Sequence, residues 1–60
     1  MIHKQITHKG KIYGYFLSET GEWINRDIRS EGNPNKTPWL KNGSKLHADI
    51  AKRIDAELAV

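Results

Sequence analysis

The side chains best suited to proton transfer or metal binding near neutral pH are three histidines, His3, His8 and His47, and no cysteine accompanies them. A tetrahedral zinc site needs four converging ligands, and His3 and His8 straddle a strand and its turn instead. Serine, histidine and carboxylate all occur, but there is no strand-to-helix nucleophile elbow and no glycine-rich phosphate loop. A chain of 60 residues also leaves little volume for a pocket of even ~300 Å³. We therefore expect surface histidines, no metal, no cofactor and no enzymatic activity.

Recognition is the chemistry the residue pattern favours. Basic and aromatic residues interleave through the N-terminal half, where Lys11, Tyr13, Tyr15, Trp23 and Arg29 alternate with other positions, and His3, Gln5 and Asn25 add polar groups. Flat rings give contact area at low entropic cost, and polar neighbours give direction. These eight residues form the expected binding set, for nucleic acid or a protein partner, provided that one face presents them.

The elements that must present them follow from residue type. β-Branched and aromatic residues over 2–7, 11–18 and 22–29, with breaks ending in Gly10 and Gly21, predict three antiparallel strands. Two three-residue loops, 8–10 and 19–21, each with glycine at a left-handed bulge position, would set Thr7 opposite Lys11 and Ser18 opposite Glu22. One face then gathers Ile6, Ile12 and Ile28 in one row and Ile2, Phe16 and Ile24 in another. Lys4, Gly14 and Arg26 lie between those rows, the two long side chains snorkelling to water or to a helix carboxylate. Gly14 marks a close approach or a bulge. The opposite face collects His3, Gln5, Thr7, Lys11, Tyr13, Tyr15, Leu17, Trp23, Asn25, Asp27 and Arg29.

After residue 43 the apolar period becomes helical, with Leu46, Ile50, Ile54 and Leu58 four apart and Ser44 placed to cap the first turn. Asp49 and Arg53 stand in the favourable i,i+4 order. Gly32-Asn33-Pro34-Asn35 and Pro38 mark the connection, within which Thr37–Lys41 offers an edge strand or a plug for the core. The expected architecture is a single α+β domain: a sheet over 2–29, a connector over 30–43 and a helix over 44–58, with a short fourth edge strand as an option. The core would comprise Ile6, Ile12, Phe16, Ile24, Ile28, Leu46, Ile50, Ile54 and Leu58.

Two resemblances sit on these residues. Lys11-Ile12-Tyr13-Gly14-Tyr15-Phe16 resembles the basic-x-aromatic-Gly-aromatic run of cold-shock and RNA-recognition domains, with Ile12 where those families have glycine; it implies rings stacked on bases. The order of three strands then a helix, with Gly21-Glu22-Trp23 opening the third strand, is similar to AP2-type and integrase arm-binding domains. It implies a sheet face laid in the DNA major groove. Neither assigns the chain to a family.

The net charge is +3, unevenly spread. Residues 1–18 carry Lys4, Lys9 and Lys11 and no acid, whereas Glu19, Glu22, Asp27 and Glu31 cluster in the next segment. The bases favour nucleic acid, DNA or RNA. The acids favour the alternative, a small inhibitor or adaptor of the sort mobile elements encode, bound to a host protein. No apolar run approaches the ~18 residues of a membrane span, and the lack of cysteine and of a signal-like N-terminus predicts a cytoplasmic protein. A chain this short, without disulfides, is also expected to gain from homodimerisation through an edge strand or the Leu17–Trp23 end.

Overall fold

A computed structural model describes residues 1–31 and 39–59. The first turn decides the architecture. Lys9 and Gly10 both take positive φ, 51° and 78°, the pattern of a two-residue type I′ hairpin turn. Strand β1 (Ile2–His8) therefore pairs with β2 (Lys11–Leu17) with His8 opposite Lys11, Ile6 opposite Tyr13 and Ile2 opposite Leu17. This is one residue away from the three-residue register, and a slip of one turns every side chain of a strand over. Tyr13, Tyr15 and Leu17 thus point at the helix, and Ile12, Gly14 and Phe16 point away from it.

The second loop is the expected one. Ser18 N–H donates to the Glu22 carbonyl at 2.8 Å, Gly21 sits at φ 88°, and Trp23 bridges to Leu17. The chain then leaves the ladder. Ile24 N–H still bonds the Phe16 carbonyl, but Asn25 and Arg26 turn at φ 54° and 53°, and pairing resumes with Arg29 opposite Gly14. Three residues are inserted relative to the Leu17–Trp23 register. Strand β3 is consequently short, Arg29–Glu31, where the sequence predicts a continuous strand over 22–29. The sheet order is β1-β2-β3, antiparallel throughout.

Helix α1 (Lys45–Leu58) begins as expected, Ser44 Oγ accepting from the His47 N–H. Its buried stripe, His47, Ile50, Ala51 and Ile54, covers the sheet. The core is Ile6, Tyr13, Tyr15, Leu17, Ile28, Ile50, Ala51 and Ile54, with Trp23 and Leu40 packed against it. Four expected core residues, Ile6, Ile28, Ile50 and Ile54, are there. Ile12, Leu46 and Leu58 are exposed, and Phe16 and Ile24 are half-buried. Leu46 and Leu58 fall outside because the stripe is centred one turn in from each helix end.

Several finer expectations also resolve. Arg26 does reach a helix carboxylate, donating twice to Asp55 at 2.9 and 3.1 Å. Arg53 serves the sheet, donating to the Thr7 carbonyl at 2.6 Å, in place of the expected pair with Asp49. His47 is buried, contrary to expectation: its Nε2–H donates to the Arg26 carbonyl at 2.8 Å and its ring stacks on Trp23. In the connector, Trp39 bridges to Arg29 at the sheet edge and Leu40 plugs the core, its N–H bonding the Ile28 carbonyl. The Gly32–Asn35 turn, Lys36, Thr37 and Pro38 lie outside the described residues. Among the described residues, no helix is long and apolar enough to cross a membrane.

Candidate recognition face

The eight expected site residues divide between the two sides of the sheet. Tyr13 and Tyr15 are core residues, 4% and 2% exposed, and cannot stack on an external ligand as the binding reading requires. The correction follows from the hairpin turn: β2 is inverted relative to the three-residue register. Tyr15 OH donates to Glu57 Oε2 at 3.2 Å, and burial first, then Glu57, raises its ionisation above the usual tyrosine value. Trp23 is half-buried on the same side, its indole N–H donating to the Asp27 carbonyl, with Arg26 over its ring at 4.6 Å. Asn25 lies in the exposed excursion, and Lys11 is exposed at the start of β2 in the row that faces the helix.

His3, Gln5 and Arg29 do lie on the helix-free face, and the structure brings them together around a residue the sequence reading left out, Glu31. Its Oε1 accepts from His3 Nε2 at 2.9 Å and from Gln5 Nε2 at 3.0 Å, and its Oε2 accepts from Arg29 Nη2 at 2.8 Å. Two strands thus supply donors to one carboxylate, β1 through His3 and Gln5 and β3 through Arg29. The room for it comes from Gly14, directly beneath: an added Cβ there would lie 2.6 Å from Glu31 Cδ and 2.8 Å from His3 Nε2, inside contact distance. Desolvation pushes the Glu31 carboxyl up, but the bonds from Arg29, Gln5 and His3 together outweigh it and hold the ionisation below the usual carboxylate value. The Glu31 side chain is only 15% exposed.

Aromatic and apolar groups frame this cluster. The His3 ring stacks on Phe16 at 5.0 Å between centroids, and the Arg29 guanidinium lies 5.5 Å from Phe16 and 5.8 Å from Trp39. Ile12 and Trp39 are 47% and 46% exposed. The face therefore has a strip of His3, Phe16, Arg29 and Trp39 beside a satisfied carboxylate. One signal in the sequence pointed this way: a row interrupted by glycine makes a poor core, and Tyr13, Tyr15 and Leu17 offer more area to bury than Ile12, Gly14 and Phe16. Among the described residues, no cluster of three or more histidine and carboxylate side chains converges as a metal would require.

Comparison with protein-family models, characterised proteins and solved structures gives no match.

Proposed function

We propose that the protein is a small protein-binding module, an inhibitor or adaptor, that engages its partner with the helix-free face of the sheet. The observation that carries this is the make-up of that face: half-exposed Ile12 and Trp39 and half-buried Phe16 around a carboxylate already bonded to its donors. Aromatic residues and arginine supply most of the energy at protein interfaces, and free charge is depleted at their centres. The charge on this face is self-compensating, Arg29 against Glu31, and Lys4 and Lys11 belong to the opposite row. A phosphate backbone laid here would meet Glu31 without those lysines.

Nucleic-acid binding is the second reading, supported by exposed Lys4, Lys9 and Lys11 along the first hairpin. One experiment separates the two. Tagged protein captures partners from nuclease-treated and untreated lysate, and the folded variants Trp39→Ala and Ile12→Glu are run beside it. The proposal expects a protein captured equally with and without nuclease and lost with either variant. Capture that nuclease abolishes, or that survives both substitutions, overturns it. In the same series, Lys9→Ala and Lys11→Ala should leave capture through the helix-free face unchanged, and should each lower the salt slope of nucleic-acid binding by about one counterion if phosphates are the target.

A further inference from the structure

Among the described residues, the sheet ends at β1 with no strand on its far side. The two-residue turn makes His8 and Lys11 a hydrogen-bonded pair, and by alternation Ile6/Tyr13, Lys4/Tyr15 and Ile2/Leu17 as well. His3, Gln5 and Thr7 therefore turn their backbone N–H and C=O groups away from β2. The Arg53 bond agrees with this, since Nη1 reaches the Thr7 carbonyl from outside the sheet. Beyond that carbonyl, the outward groups of His3 and Gln5 and the Thr7 N–H have no strand beside them.

Natural edges are usually blunted by proline, a bulge or charge. β1 has no proline, and its seven residues pair with β2 without a bulge. Its charge is of one sign: Lys4 within the strand, Lys9 and Lys11 at the turn, and Arg53 over its end. The acids that touch its surroundings are engaged, Glu31 by His3, Gln5 and Arg29, and Glu57 by Tyr15. A second copy of the chain would add like charge to like charge across the junction. An acidic strand would not.

We infer that β1 accepts an extended acidic segment of a partner protein as a fourth strand, bonded through the backbones of His3, Gln5 and Thr7 and steered by Lys4, Lys9, Lys11 and Arg53. Main-chain bonds give such strand addition its affinity, and alternate side chains give it specificity. The inference does not depend on the helix-free face, because it uses backbone groups at a different edge.

The test uses the full chain and capped heptapeptides alternating valine with glutamate or with lysine. Binding is followed through the backbone amide shifts of residues 3, 5 and 7. The glutamate peptide should bind at least ~10-fold more tightly than the lysine peptide, and Lys4→Glu should reduce or invert that preference. The sharper arm needs no protein variant: two glutamate peptides are N-methylated on alternate amides in opposite phase. One phase should bind as the parent peptide does and the other should lose at least ~10-fold, because only one peptide edge meets β1. Trp39→Ala should leave all of this unchanged. Equal binding of the two phases, meaning a charged patch and no strand pairing, overturns the inference. So does an absence of binding at about 1 mM peptide, or a peptide-free dimer that protects the same amides.

Discussion

Gly14→Ala tests the central feature of the helix-free face. In a strand interior, replacing glycine by alanine is ordinarily favourable by ~0.5–1 kcal/mol, because the unfolded chain loses freedom. Here the new methyl would displace the Glu31 carboxylate and the His3 ring that lies above it. The carboxylate would then lose its partners. The Arg29 pair, about one-third exposed on the arginine side, contributes within the surface range of ~0.2–1 kcal/mol, and the Gln5 and His3 bonds about 0.5 kcal/mol each or more. Set against the backbone gain, the net expectation is a loss of ~1 kcal/mol, or a fall in Tm of ~4–8 °C for a domain of this size. The decisive measurement is the same substitution in a Glu31→Ala background. With no carboxylate to displace, and with the His3 ring freed of the acceptor that holds it over Gly14, Gly14→Ala should change sign and stabilise by ~0.5 kcal/mol, giving a coupling energy of ~1.5 kcal/mol in urea or thermal unfolding followed by circular dichroism. An equal effect in both backgrounds would refute the assignment of Gly14 to housing Glu31.

Other consequences follow from the same geometry. Glu31 and Asp55 are both held below their usual values of 4.5 and 3.8 in the folded chain, so their contribution is full above those values. It drains as pH falls through the lower folded values, because the unfolded chain takes up protons first; Glu31→Gln should flatten the acid limb of a stability profile, and an unchanged limb would count against the cluster. Ile50→Ala, at a fully buried position, should cost ~2–5 kcal/mol and unfold much of the sample, and a parent-like melt would show that α1 does not pack as described. Tyr15→Ala should likewise act on stability, by ~3–5 kcal/mol, so a folded Tyr15→Ala variant with altered binding alone would return that ring to the surface. Lys9→Asn, which suits a position at φ 51°, should raise stability by up to ~1 kcal/mol on chemical denaturation; a loss would argue against the two-residue turn.

What was legible in the sequence, and what was not, traces to β2. Element order, the Ser44 cap, the Glu19–Gly21 loop and the burial of Ile6, Ile28, Ile50 and Ile54 follow from period and turn chemistry. Gly10 is compatible with either a two- or a three-residue loop, and Lys9 is not the asparagine or glycine that would have marked the tighter turn. The three-residue choice aligns isoleucines and so looks better packed. It also leaves Gly14 in the core, where a missing side chain loses buried area. His3, Gln5 and Arg29 fall on the expected face because β1 and the end of the third strand keep their sides, whereas Tyr13 and Tyr15 exchange with Ile12 and Phe16. Glu31 and Trp39 are absent from the expected binding set because both lie in the segment whose composition marks a connector.

The excursion at residues 24–27 gives the loop length a meaning of its own. It inserts an odd number of residues between the two stretches that pair with β2, and parity decides which neighbours look inward. With the uninterrupted register, Ile28 would stand opposite Ile12 on the helix-free side, and Arg29 would turn towards α1. The inserted residues exchange them, sending the isoleucine to the interior and the guanidinium out. A change of two residues in this segment preserves that arrangement, and a change of one reverses it. Descendants of this chain should therefore vary here in even steps, since a single insertion or deletion would put a charge inside and dismantle the outer cluster together.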